Sequence, residues 1–365
     1  MIHEKLPGIA MVFLLSFALA WVGTLLMKRI APLIGFVDKP GGRKIHARSK
    51  PLGGGVAIFW AIALPLLAVL GAAHWGLFPD SLSMYAGGVI RQTPMALRLL
   101  GALLAMHVMG LIDDRRALGP YLKLAVQILA AGVVVWYGDF RILTVLGEWP
   151  SMILTVLWIT GITNAFNFLD NMDGLSAGVA AVCGLAFLIT AMLIGQWFVA
   201  GMLAMFVGAL IGFLCFNFAP ASIFMGDSGS LVIGMLLGCL TIRPTYLPPG
   251  RELADAWYTL LTPLIVLAVP IYDLLVVSVI RLRMGKSPFV GDTNHFSHRL
   301  VRRGMSRRTA VLCIWLVTAA TSIAAILLPR VADWTSAVLI LLQTILVLCV
   351  VALLEQHPLP VPEEE

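Results

Sequence analysis

The sequence predicts an all-α, polytopic membrane protein with about 11 transmembrane helices. Of its 365 residues, 60% are hydrophobic and only 12% are charged, whereas a soluble domain carries about 25% charged residues. Apolar runs of about 20 residues, the length that crosses a bilayer, recur along the chain. Lysine and arginine are concentrated in alternate loops, which predicts that the N-terminus lies outside and that the polar loops are cytoplasmic. Any active-site loops are then expected on the cytoplasmic side as well.

The first apolar run, 8–27, predicts a retained helix rather than a cleaved signal peptide. Its leading segment, MIHEKLPG, is nearly neutral, and Lys28 and Arg29 follow the run. A signal peptide would instead begin with a basic segment and have a short apolar core. The predicted spans are, in order, 8–28, 53–75, 94–112, 121–138, 149–168, 174–194, 197–217, 228–243, 257–280, 309–329 and 334–354.

The loops between these spans divide into two kinds. Most of the 25 lysines and arginines lie in 28–52, 113–123 and 281–308, which are predicted to be inside together with 165–175 and 217–229. The outside loops are short or rich in proline and glycine, such as RPTYLPPGRELAD. We expect one polytopic transmembrane domain over 1–355 and a disordered cytoplasmic tail over 356–365.

The cysteines and the charge distribution exclude several classes of protein. The five cysteines all lie in apolar runs and form no CxxC pair, so neither a disulfide framework nor a zinc site is predicted. The positive charges flank membrane spans, where anionic lipid head groups are the expected contact. A membrane partner is therefore predicted, and no nucleic acid.

Two acidic motifs end or follow predicted spans on the cytoplasmic side. In GLIDDRRALGPYLKL, Asp113 and Asp114 are adjacent, and two neighbouring carboxylates repel unless a cation lies close. Arginines of the same loop or a Mg²⁺ ion would serve. In NAFNFLDNMDGLSAG, Asn167, Asp170 and Asp173 are spaced three apart, so on a helix they share one face. Such a polar face at the membrane edge predicts a cavity.

A third acidic motif, FNFAPASIFMGDSGSLVIG, places Asp227 between Gly226 and Ser228. Glycine lets the backbone approach a ligand closely. The Asp227 carboxylate is predicted to cap the following helix, to bind a metal ion, or to do both.

Two basic motifs accompany these acids. RLRMGKSPFVGDTNHFSHRLVRRG contains His295 and His298 three residues apart, with Arg299 beside them. This loop suits phosphate binding, although its arginines also suit lipid head groups. DKPGGRKIHARSKPLGGG carries a dense cationic segment that is predicted to cradle a polyanion. Its candidate residues are Arg43, Lys44, His46 and Lys50.

Together these motifs predict a groove at the cytoplasmic membrane edge with acidic metal sites and basic phosphate sites. A substrate there would keep a lipid tail in the bilayer and a phosphate at its surface. The reaction that matches this arrangement is metal-assisted phosphoryl transfer.

The motifs, in this order from Asp38 to Gly304, resemble those of the polyprenyl-phosphate N-acetylhexosamine-1-phosphate transferases, a family related to the phospho-N-acetylmuramoyl-pentapeptide transferase. The resemblance implies transfer of a sugar-1-phosphate, here GlcNAc-1-phosphate, from a UDP-sugar to a polyprenyl phosphate such as undecaprenyl phosphate. UMP leaves, and Mg²⁺, or Mn²⁺ in its place, is required. The family also implies a bacterial cytoplasmic membrane, the first membrane step of a cell-envelope glycan pathway, and compatibility with a homodimer.

The resemblance also implies roles for single residues. Asp227 matches the magnesium ligand, and Asp113 and Asp114 match the acidic pair at the lipid phosphate, where one acts as the proposed base; Asp113 is also an expected metal ligand. Phe224 falls where a relative places an aromatic ring against uracil. The expected catalytic residues are Asp113, Asp114, Asp170, Asp173 and His298. The expected substrate-binding residues are Arg43, Lys44, His46, Lys50, Lys123, Asn167, Asn217, Phe224, His295 and Arg299.

One motif departs from the family pattern. The amino-sugar branch usually reads His-x-His-His, but here Ser297 stands between Phe296 and His298. The pentapeptide branch has three consecutive histidines, which this chain lacks. The amino-sugar branch is therefore favoured, and the pentapeptide-type activity is the alternative.

Two rival classes fit less well. CDP-alcohol phosphatidyltransferases share the opening of DNMDGLSAG, but Gly178 stands where they need arginine. An ion-coupled transporter would use midplane acids and internal repeats. Asp273 is the best candidate for such an acid, and its closeness to Arg281 in the sequence suggests an ion pair or an inner cavity instead.

Overall fold

The computed structural model describes residues 2–38, 49–137, 140–242, 257–289, 292–331 and 333–355. This part of the chain is almost entirely helical. The helices are α1 Ile2–Leu33, α2 Gly54–His74, α3 Asp80–Arg115, α4 Pro120–Tyr137, α5 Glu148–Leu169, α6 Leu175–Leu193, α7 Trp197–Asn217, α8 Asp227–Leu240, α9 Thr262–Val266, α10 Ala268–Arg283, α11 Phe296–Arg302, α12 Arg307–Leu327 and α13 Trp334–Leu354. Short 3₁₀ turns occupy Thr144–Leu146, Trp257–Leu261 and Leu328–Arg330.

The predicted fold class, an all-α polytopic membrane protein, is confirmed over the described residues. Nine helices there are long and apolar enough to cross a membrane. A further pair, Trp257–Val266 and Ala268–Arg283, passes the same test together and is bent by 67° at its break. Each of the predicted spans falls on one of these elements or on the shorter α8. The total of about 11 spans and their orientation stay predictions.

The short helix α8 forms the centre of the bundle. Every residue from Ser228 to Leu240 is buried, so protein surrounds this helix on all sides. Its glycines explain the close packing: a Cβ on Gly234 would lie 2.5 Å from Cα of Thr163 in α5. Small residues four apart let two helix backbones approach in this way. Because α8 faces protein and not lipid, it does not need the length of a full membrane span.

A small antiparallel ribbon connects the first predicted inside loop to the loop before α8. Strand β1 (Val37–Asp38) pairs with β2 (Lys50–Pro51), with Val37 opposite Pro51. The N–H of Phe224 then donates to the carbonyl of Pro51 at 2.9 Å. The ribbon therefore brings Lys50 beside α8. The predicted phosphate residues Arg43, Lys44 and His46 lie outside the described residues, and so does the predicted tail at 356–365.

Candidate active site

The first residue of α8 is Asp227, and helix α3 fixes its position. The backbone N–H of Asp227 donates to Oδ1 of Asp114 at 2.8 Å, and the N–H of Ser228 donates to Oδ2 at 3.2 Å. A carboxylate here satisfies N–H groups that the helix leaves unpaired and meets the positive end of its dipole. The sequence predicted that Asp227 itself caps α8, binds a metal ion or does both, but the cap comes from Asp114 instead.

The face of α3 that carries Asp114 fits closely against the start of α8. A Cβ on Gly110 would lie 2.4 Å from Cα of Ser228, so only glycine allows this approach. One turn away, Nδ1 of His107 lies 3.0 Å from the carbonyl oxygen of Ser228. The carbonyl can only accept, so Nδ1 is the donor. These spacings of three and four residues place all three contacts on one side of α3.

The side chain of Asp227 lies at the centre of a polar cluster. Its Oδ2 is 2.8 Å from Nζ of Lys123, and its Oδ1 accepts from the amide of Asn167 at 3.0 Å. The same ammonium lies 3.0 Å from Oδ2 of Asp113. Helices α3, α4, α5 and α8 thus each contribute one group, which no local sequence pattern could bring together. The cluster includes Asp113, Lys123, Asn167 and Asp227, all predicted site residues.

Asp170 follows α5 directly and faces this cluster. Among the described residues its carboxylate has no hydrogen-bonding partner and no ion pair. Burial, and then the negative charges of Asp227, Asp114 and Asp173, raise the pKa of Asp170 well above its usual range. A half-buried carboxylate that faces three others calls for a cation.

The donor set fits a divalent metal ion that is shared with substrate. Over the described residues, no group of three or more His, Cys, Asp or Glu side chains is close enough to hold a metal ion alone. Mg²⁺ is commonly held by one or two carboxylates, with waters and substrate phosphates completing its octahedron. Asp227, Asp113 and Asp170 are hard oxygen donors of this kind. The carboxylate of Asp170, which has no partner among the described residues, has capacity for such a cation.

Asp173 and the ring of Phe224 both lie close to the ammonium of Lys50. Oδ2 of Asp173 accepts from the N–H of Ala221 at 2.8 Å and lies 3.6 Å from Nζ of Lys50. That ammonium also lies 4.8 Å from the centre of the Phe224 ring. Lys50 therefore reaches both the acidic motif and the aromatic ring, as a residue of the predicted phosphate loop should.

Two predicted substrate-binding residues have structural contacts instead. Asn217 is 4% exposed. Its Oδ1 accepts from the N–H of Gly174 at 3.0 Å, and its amide donates to the carbonyl of Ile223 at 3.0 Å. Arg299 pairs with Glu355 at 2.8 Å. The positions of Asn217 and Arg299 therefore give no support to substrate contact. Internal partners use both polar groups of the Asn217 amide and two of the three guanidinium nitrogens of Arg299.

His295 is also held internally. It is 5% exposed, and its Nδ1 lies 2.9 Å from Oδ2 of Asp273. Its Nε2 lies 3.2 Å from a guanidinium nitrogen of Arg281. Arginine only donates, so Nε2 must accept and the proton must sit on Nδ1. This geometry leaves His295 no free nitrogen for substrate, so its predicted contact with substrate gains no support here. It also satisfies Asp273, the acid considered for ion coupling.

Among the described residues, the imidazole of His298 makes no hydrogen bond or ion pair, in contrast to that of His295. His298 is half-buried, and its ring centre lies 6.4 Å from that of His295. Burial, and then the nearby positive charges that include Arg302, lower the pKa of His298. The adjacent Ser297 is buried and donates to Oδ1 of Asn171 at 2.6 Å. Ser297 therefore ties the histidine loop to the acidic loop after α5.

Two residues of this region carried no clear signal in the sequence. His107 lies inside a predicted span, where a polar side chain is easily read as a membrane-edge residue. Glu355 is a lone acid at the end of the last apolar run. Each is buried in the structure. The only hint in the sequence was a polar side chain in or beside an apolar run, because such a side chain needs a partner if it is buried.

The fold and the site define a class of protein: a polytopic membrane enzyme with carboxylates, an ammonium and a histidine gathered at one end of its helices. The chain belongs to the polyprenyl-phosphate N-acetylhexosamine-1-phosphate transferase family, within glycosyl transferase family 4, whose pattern matches residues 96–245. The family inferred from the motifs is thereby confirmed.

Curated relatives cover most of the chain. A probable undecaprenyl-phosphate N-acetylglucosaminyl 1-phosphate transferase of Bacillus subtilis is 33% identical over 354 residues, which is 94% of this chain and 92% of that protein. The decaprenyl-phosphate N-acetylglucosaminephosphotransferase of Mycolicibacterium smegmatis is 33% identical, over 85% of this chain and 78% of that protein. The undecaprenyl-phosphate alpha-N-acetylglucosaminyl 1-phosphate transferase of Escherichia coli K12 is 27% identical, over 86% and 83%.

Proposed function

We propose that the protein transfers GlcNAc-1-phosphate from UDP-GlcNAc to a polyprenyl phosphate such as undecaprenyl phosphate. A phosphate oxygen of the lipid attacks the phosphorus that bears the sugar. The bond between this phosphorus and the bridging oxygen breaks, and UMP leaves with that oxygen. The observation that carries the proposal is the cluster of Asp113, Lys123, Asn167 and Asp227. The names of the relatives support the same reaction.

Mg²⁺ is the proposed cofactor, with Mn²⁺ as a substitute. Asp227 and Asp113 would hold it, and Asp170 would face it. When bound, the ion neutralises charge that develops on the transferred phosphoryl group and the leaving UMP.

The side chains of the chain itself supply orientation and charge. Lys123 brings a positive charge between two acids that would otherwise repel the substrate phosphates. One acid of the pair Asp113 and Asp114 is the proposed base at the lipid phosphate; each also accepts backbone N–H groups, from Leu118 and from the start of α8 respectively. His298 binds a diphosphate oxygen, for which a neutral imidazole N–H is sufficient. Phe224 is proposed to stack on uracil.

The proposed setting is a single transmembrane domain in the bacterial cytoplasmic membrane. It has about 11 spans, an outside N-terminus and a cytoplasmic site, so that water-soluble UDP-sugars reach it. A homodimer is compatible with this setting. The same reaction would begin a cell-envelope glycan.

One experiment tests the function directly. Purified protein is incubated with Mg²⁺, undecaprenyl phosphate and a panel of UDP-sugars, and UMP release is measured. UDP-GlcNAc should be the best donor. UMP release only with UDP-MurNAc-pentapeptide would instead favour the pentapeptide-type activity, and no release with any donor would refute the proposal. The protein without lipid acceptor is the control for simple hydrolysis.

A further inference from the structure

Glu355 is a buried carboxylate at the end of α13, beyond the last family motif. The residue is 8% exposed. One oxygen, Oε1, accepts from the Arg299 guanidinium at 2.8 Å, and the other, Oε2, accepts from the Tyr272 hydroxyl at 3.1 Å. A buried ion pair that loses one partner leaves an uncompensated charge, so the contact resists breakage.

Helix α13 is otherwise a peripheral element. Only 17% of its apolar stretch is buried inside the protein, so most of its surface lies outside the packed bundle. Its N-terminus is capped by Asp333, whose carboxylate accepts from the N–H of Ser336 at 2.8 Å. The Glu355 end, in contrast, contacts two elements close to the candidate active site. The polar contact is therefore specific to the end of the helix where the site lies.

Arg299 belongs to α11, the seven-residue helix that also carries His298. The N-terminal end of this helix is held by α10, because the N–H of Phe296 donates to Oδ1 of Asp273 at 2.6 Å. Its middle is held by α13 through Arg299 and Glu355. His298 lies between these two attachments. A helix this short has little stability alone, so tertiary contacts determine its orientation.

We propose that Glu355 is a positioning residue of the transfer reaction: through Arg299 it fixes α11 and so holds His298 at the substrate phosphates. This proposal rests on the proposed function. It gives the last membrane helix a role at the site, although that helix contributes no group that touches substrate.

The test compares Glu355→Gln with Asp333→Asn, a control at the opposite end of the same helix. In the UMP assay, Glu355→Gln should raise KM for UDP-GlcNAc about tenfold, while kcat changes less than about threefold, since ground-state phosphate binding is weakened. Asp333→Asn should leave both constants unchanged. An unchanged KM in Glu355→Gln would overturn the proposal. Inactive wild-type protein would instead refute the proposed function.

A double-mutant cycle separates positioning from general stability. If Glu355 acts through His298, Glu355→Gln should have no further effect on KM in a His298→Ala background. Fully additive effects would overturn the proposal, because they would show that Glu355 acts elsewhere. Glu355→Asp retains the charge on a shorter side chain and should give an intermediate KM. It also provides the measurement if Glu355→Gln does not fold, and a KM equal to that of the wild type would then overturn the proposal.

Discussion

The ammonium of Lys123 lies 2.8 Å from Oδ2 of Asp227, although the two residues are more than a hundred positions apart in the chain. This contact joins α4 to the first turn of α8. It compensates the charge of the carboxylate. A divalent ion is expected to compete with Lys123 for the oxygens of Asp227, and substrate phosphates are expected to compete with the carboxylate for the ammonium.

Asp227→Asn should abolish UMP release while the protein still inserts and folds. An amide oxygen can still accept from Asn167, but the neutral side chain is a poor ligand for Mg²⁺ and would turn its NH₂ toward Lys123. Turnover and thermal unfolding in detergent check this, with Asp80→Asn at the other end of α3 as the matched control. Near-normal turnover by Asp227→Asn, or full wild-type turnover in EDTA, would exclude the metal assignment.

Substitutions of the two adjacent acids of α3, Asp113 and Asp114, should differ in their effects on stability. Asp114→Asn leaves one amide oxygen for two backbone N–H groups, so we expect a loss of ~1 kcal/mol of stability together with turnover. Asp113 accepts a single backbone N–H, that of Leu118 at 2.6 Å, which an amide oxygen can still accept, so Asp113→Asn should lose turnover with a smaller loss of stability. Thermal unfolding and UMP release, measured on the same preparations, distinguish these outcomes. Equal stability of the two variants would contradict the capping role of Asp114.

Asp170→Asn should stabilise the metal-free protein and inactivate it. The raised pKa of Asp170 means that the folded state binds this proton more tightly than the unfolded state, so stability falls as pH rises through the raised pKa. Asp170→Asn has no carboxylate to titrate at this position, so its stability does not fall in this way as pH rises. Its advantage should be ~1 kcal/mol at about pH 8, since the side chain is only half-buried, and should vanish toward about pH 4. Unfolding measured across this range would contradict the idea if the advantage grew at low pH.

His298→Ala should lower turnover strongly, chiefly by raising KM for the UDP-sugar, whereas Ser297→Ala should stay within about tenfold of the parent. Burial lowers the pKa of His298, so above about pH 7 the ring is mainly neutral and acts as an N–H donor. His298→Gln, which retains an N–H donor, should therefore keep more activity than His298→Ala at that pH. A dead Ser297→Ala beside a near-normal His298→Ala would reverse these roles.

A cysteine at Ser49 should resist an impermeant thiol reagent in intact cells, and one at Thr144 should be labelled. Both positions are exposed in the structure but lie in loops that the distribution of lysine and arginine assigns to opposite sides. The parent protein, with its own cysteines, is the control. Labelling at Ser49 and protection at Thr144 would invert the orientation.

The sequence predicted the helical elements well because each apolar run is a local signal. It also identified Asp113, Asp227, Lys123 and Asn167, which the structure brings together. It could not assign partners: whether Asp114 caps a helix depends on how α3 packs on α8, a contact between distant segments. The same holds for His295, whose pairing with Asp273 and Arg281 is visible only after folding. The sequence therefore identified functional residues by their chemical type, but it could not show which other residues they contact.

Helix α8 has 14 residues and so extends about 21 Å, whereas the hydrocarbon core of a bilayer is about 30 Å thick. Asp227 lies at one end of this short helix, so we expect the reacting phosphates to meet below the level of the surrounding lipid head groups. The protein would then admit water and nucleotide down to the depth of the lipid acceptor. A long-chain prenyl phosphate could react without being lifted out of the leaflet, and the length of its tail would matter little to the chemistry.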